Sequence, residues 1–190
     1  MAKQKHHICP VSKVRSFDNA LRALVHPPHK IFGPHVKPGM HALDVGCGGG
    51  FASIALARLV GPAGRVVAAD VQQDMLDMVY KRAELLQIRR PLEYHLCEPG
   101  RIGASGPFHF ANAMMMVHEI PDPAAFFKEI HDLLHPCGRL LLSEPGGHVK
   151  ARDFREELDH AVAAGLRLLS RPRVLFCHAA LLERPAGATG

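Results

Sequence analysis

Short apolar runs alternate with longer segments of helical periodicity along most of the chain, and this alternation predicts an α/β fold. The runs expected to form strands are residues 42–45, 65–69, 92–96, 108–114 and 139–143, followed by two more at 166–169 and 174–177. Apolar positions at helical spacing predict helices over 12–25, 51–59, 73–88, 123–134 and 151–164. Strands that alternate with helices in this order are typical of a parallel sheet.

Three of the predicted helices have an apolar face that should pack on the sheet. The inward positions are Met75, Leu76, Val79, Ala83 and Leu86 in one helix, Phe126, Phe127, Ile130, Leu133 and Leu134 in the next, and Phe154, Leu158, Ala161 and Val162 in the last. Asp122 before Pro123 is typical of a helix start. The segment 98–107 is too short for a helical crossover, and residues 144–147 are expected to turn outward.

The segment 42–70 contains the most informative feature, a turn of four glycines around Cys47 between the first strand and its helix. Glycine lacks the Cβ that would block a ligand, and it tolerates a positive φ. The helix that follows directs its unpaired N–H groups and positive dipole end at the turn, which suits a carboxylate or phosphate. Asp70 ends the second strand 20 residues after Gly50. At that spacing, an acidic side chain can accept hydrogen bonds from a ribose.

The residue after the turn separates two classes of nucleotide-binding protein. The dinucleotide fingerprint G-x-G-x-x-G requires a small residue where this chain has Phe51. The chain instead reads LDVGCGGG over 43–50, with the pattern D-x-G-x-G-x-G, and AADVQQDML over 68–76. Further on, MMMVHEIPDP ends in a turn of the form L-H-x-x-P-D. In these residues the chain resembles the class I S-adenosylmethionine-dependent methyltransferases, including their type 11 and type 25 domains.

The resemblance covers about residues 30–185. It implies a single-domain, doubly wound α/β fold, with a mostly parallel seven-stranded sheet, helices on both faces and an antiparallel last strand beside the fifth. We divide the chain into an N-terminal tail and helical cap segment, 1–39, and a methyltransferase domain, 40–185. The implied cofactor is S-adenosylmethionine, with S-adenosylhomocysteine as the product.

The resemblance also implies a set of cofactor-binding residues: Asp44, Gly46, Cys47, Gly48, Gly50, Asp70, Val71, Glu98 and Met114. The turn would approach the methionine end of the cofactor through its backbone. Asp44 would orient the turn or meet the amino group, and Asp70 would hold the ribose. Glu98 would face the adenine amino group or lie in water as a loop acid. In the cap segment, Phe17 and Arg22 are candidates for acceptor selection, although Phe17 could equally serve packing.

Methyl transfer from a sulfonium is an in-line displacement that depends mainly on alignment. It needs no metal, and it needs a base only if the nucleophile carries a proton. His118 is the candidate catalytic base because its ordinary pKa suits the role. It could instead be a structural bracket. Met114 and its two neighbours are either core or an adaptable wall for the acceptor. The family often begins its fourth strand with Phe-Asp, where this chain has His109.

Composition limits the remaining possibilities. With 190 residues, 47% hydrophobic and 22% charged, the chain suits one soluble domain, and it has no apolar run long enough for a membrane span and no signal peptide. Five scattered cysteines predict reduced thiols in a cytoplasmic protein. The fourteen histidines form no metal motif, so no metal is predicted. The net charge of +5 is scattered and Trp is absent, so nucleic acid is not the expected partner.

Three functions therefore remain. The first is methyl transfer from S-adenosylmethionine to a small molecule, or, as second choice, to a macromolecule. The second is a nicotinamide-dependent oxidoreductase, which Phe51 and the lack of a Tyr-x-x-x-Lys pair oppose. The third is a catalytically inactive relative that binds the cofactor only. The acceptor and the oligomeric state are not encoded in any motif.

Overall fold

The computed structural model describes residues 20–88 and 90–187. Phe17 and most of the N-terminal tail therefore lie outside the described residues, as does the first part of the helix predicted over 12–25. Two short helices, α1 (Ala20–Val25) and α2 (Pro28–Ile31), lead into the sheet. His26 and Pro27 separate them, and Pro28 begins α2, as expected because a proline cannot continue the preceding helix. The boundary drawn between segments 1–39 and 40–185 stays a prediction.

Seven strands and four longer helices follow in nearly strict alternation. In chain order they are β1 (His41–Val45), α3 (Phe51–Val60), β2 (Arg65–Asp70), α4 (Gln73–Leu85), β3 (Leu92–Leu96), β4 (Phe108–Met114), a 3-10 turn (Val117–Glu119), α5 (Pro123–Leu133), β5 (Leu134–Pro145), α6 (Ala151–Ala163), β6 (Arg167–Ser170) and β7 (Cys177–Glu183). As predicted, the segment 98–107 holds no helix.

The strands form one sheet in the order β3-β2-β1-β4-β5-β7-β6. Neighbouring strands from β3 to β5 are parallel, and β7 runs antiparallel between β5 and β6. This confirms the predicted doubly wound fold. The direction of winding reverses between β1 and β4, so the crevice expected in such a sheet opens at the carboxyl ends of these two strands.

Helices cover both faces of the sheet. On one face α5 and α6 bring Phe127 and Phe154 against Leu140 and Leu142. On the other face α2 and α3 pack around Phe110. α4 completes this second face by setting Leu76 and Val79 against Ala68. The two apolar layers fix the register of the central strands, and this register determines which side chains reach the crevice.

Four expectations about element ends or buried faces were wrong. α4 stops at Leu85, so Leu86 is 42% exposed. In α6, Val162 is 54% exposed, and Glu157 is buried on the helix face that carries Phe154 and Leu158. The strand predicted over 174–177 is a turn, with Phe176 at φ 60°, and the real strand begins at Cys177. β5 is longer than predicted, and Glu144 lies inside it rather than in an outward turn.

Candidate active site

The glycine turn lies at the carboxyl end of β1, between that strand and the N-terminus of α3. Gly46, Gly48 and Gly50 all have positive φ, of 63°, 50° and 85°. A Cβ on Gly46 would lie 2.8 Å from Cγ of Met116. Positive φ and this close approach both require glycine, so the turn cannot be built from other residues without strain.

Asp70 closes the turn from the end of β2. One carboxylate oxygen accepts the N–H of Gly48 at 3.0 Å, and the other accepts the N–H of Gln72, also at 3.0 Å. Asp70 is only 7% exposed, and burial raises its pKa although these backbone N–H groups oppose the shift. Each carboxylate oxygen can accept a second hydrogen bond. The N–H of Val71 also acts on this carboxylate, so Asp70 keeps only part of its acceptor capacity for a bound molecule at the edge of the turn.

Asp44 lies beneath the turn rather than in the crevice. It is 1% exposed, and its carboxylate accepts hydrogen bonds from Oγ of Ser53 and, at 2.8 Å, from Nδ2 of Asn112. Burial raises its pKa to about 6 against the effect of these two donors. Asp44 therefore ties the end of β1 to α3 and to β4.

Cys47 contributes to the turn through its backbone. Its N–H donates to the carbonyl of Ala69 at 3.1 Å, and its carbonyl accepts from Gly50 at 3.0 Å. The side chain is buried against Ala68, Leu76 and Val79. Desolvation by burial and, to a smaller extent, the negative charges of Asp44 and Asp70 raise the pKa of the thiol well above its ordinary value. The thiol therefore stays protonated and is a poor nucleophile.

Val71 and Glu98 lie beside Asp70 on the same edge of the sheet. Val71 follows Asp70 directly and is 43% exposed. Glu98 is exposed just past β3, and the preceding residue, Cys97, donates its N–H to the carbonyl of Asp70 at 2.9 Å. This backbone contact keeps the chain beside Glu98 next to the end of β2, and the roles of Val71 and Glu98 toward a cofactor stay predictions.

The third wall of the site comes from the end of β4 and from the cap segment. Met114 is buried, and the Nη2 atom of Arg22 in α1 lies 3.5 Å from its sulfur. The guanidinium carbon of Arg22 also lies 4.3 Å from the ring centre of Phe51, the first residue of α3. This cation–π geometry holds α1 across the space between the glycine turn and the end of β4.

His118 follows β4 in the 3-10 turn and contacts an acid that the sequence analysis did not select. Its Nδ1 lies 2.6 Å from Oε2 of Glu144, whose carboxylate is fully buried. The other oxygen of Glu144 accepts the N–H of Val117 at 2.7 Å. Burial lowers the pKa of His118, but the hydrogen bond and charge of Glu144, with smaller contributions from Glu119 and Glu157, outweigh it and raise the pKa above its ordinary value.

Glu157 is the second acid that the sequence analysis missed. It lies on the buried face of α6 at 7% exposure, and its Oε2 has no hydrogen-bond partner among the described residues. Burial is the main cause that raises its pKa to about 8, and the negative charge of Glu144 adds to the shift. The sequence held a signal for both acids. Glu144 continues the alternation of buried residues in β5, and Glu157 falls at helical spacing from Phe154 and Ala161.

The sequence profile of a family described as "Methyltransferase domain" matches residues 36–179. The chain belongs to this family. The match covers the whole site, from the glycine turn and Asp70 to His118, Glu144 and Glu157.

Individual relatives agree with this assignment over part of their length. The chain is 34% identical over 108 residues to a ubiquinone biosynthesis O-methyltransferase from Xanthomonas campestris, covering 56% of this chain and 43% of the relative. It is 31% identical over 110 residues to a demethylmenaquinone methyltransferase from Lactobacillus johnsonii, covering 57% and 45%. The chain thus spans less than half the length of these curated relatives.

The fold matches an experimental structure over nearly the whole chain. A SAM-dependent methyltransferase from Aquifex aeolicus superposes with a TM-score of 0.82 and 23% sequence identity, covering 93% of this chain and 99% of the other.

Two further observations concern the described part of the chain. No group of His, Cys, Asp and Glu there could hold a metal ion, and no helix there has the length and apolar content needed to cross a membrane.

Proposed function

We propose that this chain transfers a methyl group from S-adenosylmethionine to a small-molecule acceptor. The observation that carries the proposal is the carboxylate of Asp70, held across the mouth of the glycine turn by the N–H of Gly48. A carboxylate with acceptor capacity left, beside a backbone cradle, is the acceptor that the hydroxyl groups of a ribose require. Membership of the methyltransferase family supports the same conclusion.

The residues at the crevice suit the three parts of this cofactor. Asp70 would accept the ribose hydroxyls, with Val71 and Glu98 bordering the adenine. The N–H groups of Cys47 and Gly48 already have partners within the protein, so the turn would meet the methionine end through its open Cα surface and its carbonyl groups. Gly46 and Gly50 shape that surface, Asp44 supports it from below, and Met114 borders the methyl end.

The cofactor supplies an activated methyl group on a sulfonium centre. The chain supplies position and protection from water. The Gly46 backbone and the methionines after β4 bound the reacting space, and Arg22 closes it from the cap segment. His118, two residues beyond Met116, is the side chain we propose as the base for a protonated acceptor.

The acceptor is proposed to be small because the relatives that share this domain are named for ubiquinone and demethylmenaquinone methylation. The scattered positive charge offers no groove of cations interleaved with aromatic rings, which a single-stranded nucleic acid would need. We place the protein in the cytoplasm, since its four described cysteines are all unpaired.

Calorimetric titration with S-adenosylhomocysteine tests the proposal, with NADH titrated in parallel. We expect micromolar binding of S-adenosylhomocysteine, lost in Asp70→Ala and retained in Asp74→Ala, which removes an exposed acid from the first turn of α4. Binding of NADH alone would instead identify an oxidoreductase. Binding of S-adenosylhomocysteine without methyl transfer to any acceptor would identify an inactive relative.

A further inference from the structure

Three ionisable side chains from separate elements form a cluster at the carboxyl edge of the sheet. They are His118 from the 3-10 turn, Glu144 from β5 and Glu157 from α6, and we call them the acid–imidazole cluster. Glu144 is fully buried and Glu157 is 7% exposed, whereas the His118 side chain keeps 18% exposure. Buried acids cost stability unless they are paired, so two such acids behind a partly exposed imidazole require an explanation.

The cluster adjoins the proposed methyl-transfer site. Met116 lies against Gly46 of the glycine turn, and Val117, the next residue, donates its N–H to Glu144. His118 follows directly. Only the three residues Met116 to His118 therefore separate the glycine turn from the imidazole. The carboxylate of Glu144 contacts both the backbone of this segment and the ring of His118.

The contact with Glu144 determines which nitrogen of His118 carries the proton. Because an ionised carboxylate can only accept, the 2.6 Å contact requires Nδ1 to donate. Nε2 is then left with a lone pair and can accept a proton from a bound molecule. The same division of roles operates in Ser-His-Asp triads, where a buried acid orients a histidine base.

We propose that Glu144 is a positioning residue that makes Nε2 of His118 the base for an acceptor hydroxyl group, and that Glu157 stays beside the pair as a neutral carboxylic acid. The proposal rests on the proposed function and deepens it by naming the acceptor as a phenol-like hydroxyl. In the step assigned to His118, the O–H bond breaks and its proton moves to Nε2. The electron pair stays on the oxygen, which would form a bond to the methyl carbon as the carbon–sulfur bond of the sulfonium breaks and the neutral thioether leaves with that bond's electrons.

The groups that face His118 from each packed element support these roles. On the Nε2 side, Glu119 lies 3.9 Å away and His148 contributes a ring at 5.0 Å between centroids. Glu144 lies on the Nδ1 side, and Glu157, with Asp153 acting on it, belongs to α6. Glu144 and Glu119 already favour the charged imidazole, and a third ionised acid would hold the proton on His118 more tightly still. A neutral Glu157 avoids this, and the burial that raises its pKa to about 8 keeps it neutral.

Histidine-ring NMR of ¹⁵N-labelled protein tests the positioning role without any acceptor. His118→Gln assigns the His118 signals. We expect the wild-type ring to be protonated at Nδ1 and to have a pKa above 6.5. In Glu144→Gln we expect the pKa to fall by about one unit, a tenfold loss of proton affinity. Glu157→Gln should shift it by no more than a few tenths. Glu119→Gln, which changes the half-buried acid 3.9 Å from Nε2, should shift it by less than Glu144→Gln.

A wild-type ring protonated at Nε2, or an unchanged pKa in Glu144→Gln, would overturn the proposal. The wild-type spectrum alone decides the tautomer, even if Glu144→Gln does not fold.

A methyl-transfer panel tests the acceptor class with phenols, aryl thiols and anilines. The rate of transfer to phenols should fall as the pH drops through the pKa measured for His118. Glu144→Gln should move this acid side of the pH–rate profile to lower pH by as much as it lowers the pKa of His118. The proposal would be overturned if Glu144→Gln slowed the reaction without moving the acid side of its pH–rate profile. Transfer to thiols or anilines but to no phenol would also overturn it. If the wild type does not bind S-adenosylhomocysteine, the proposed function is refuted independently of the NMR result.

Discussion

At the scale of single residues, the site depends on acids in unequal environments. Asp70 keeps acceptor capacity at the mouth of the turn, Asp44 lies buried beneath it between two donors, and Glu144 lies buried beside His118. Glu157 differs because its buried Oε2 has no partner among the described residues. Such a group has no evident structural benefit, and perturbed acids of this kind concentrate at functional sites.

Glu157 should therefore reduce stability at neutral and alkaline pH. Its pKa is raised from the ordinary 4.5 to about 8, so its contribution is favourable below pH 4.5 and is lost as the pH rises toward 8. We expect Glu157→Gln to raise the free energy of unfolding by roughly 2–4 kcal/mol at pH 8 and to change it little at pH 4. Urea denaturation at both pH values measures this.

The control for this prediction is Glu156→Gln, which changes an exposed acid one position away on α6. It should leave stability nearly unchanged at both pH values, because exposed ion pairs contribute little. A Glu157→Gln variant that is less stable than the wild type at pH 8 would show that the carboxylate is ionised and paired in the folded protein.

At the scale of elements, α5 follows the site turn and its start determines where that turn ends. Asp122 caps the helix by accepting the N–H of Ala125 at 3.0 Å, and Pro123 occupies the first turn. Phe126, Phe127 and Ile130 then bury the inner face of the helix against the sheet. The cap thus fixes the chain just after the 3-10 turn that carries His118.

Removing this cap should cost about 1 kcal/mol of stability in Asp122→Ala. Asp132→Ala, which changes an exposed acid near the other end of α5, should be nearly neutral because the Lys128–Asp132 pair is exposed and lies at the helix end where negative charge is unfavourable. Thermal unfolding of the three proteins compares them. Equal stability of the wild type and Asp122→Ala would mean that water replaces the cap without loss.

The elements also show where sequence patterns succeed. β4 and β3 were predicted residue for residue, because short apolar runs bounded by glycine or proline have few alternatives. β7 was misplaced because its run of alanine and leucine has little intrinsic strand preference. It is a strand because β5 and β6 pair with it on both sides, and sequence periodicity does not carry that information.

At the scale of the whole molecule, the two edges of the sheet have different chemistry. The carboxyl edge carries the site, and the amino edge carries three histidines. The ring centroid of His109 lies 5.5 Å from that of His41 and 4.4 Å from that of His135. His109 occupies the position where the family often has aspartate, and its Nδ1 accepts the N–H of His41 at 3.0 Å. The imidazole therefore supplies an acceptor to the start of β1.

His109 should make the protein sensitive to acid. Desolvation, with the neighbouring imidazoles, lowers the pKa of His109, so its stabilising contribution is present above the unfolded-state pKa of about 6.5 and is lost as the pH falls below it. We expect His109→Gln to lose less stability than the wild type between pH 7 and pH 5. Denaturation curves at the two pH values test this, and parallel losses in both proteins would exclude His109 as the cause.

The sequence by itself determined the fold class and the main parts of the proposed cofactor site. The glycine turn, Asp70 and the alternation of strands and helices are local patterns, and local patterns fix backbone conformation and buried faces. The tertiary structure alone decided which acid contacts His118. Glu144 and Glu157 come from strands and helices distant in sequence, and only the packing of α6 on the sheet beside β5 brings them to the imidazole. Their burial, which sets their charge, likewise depends on that packing.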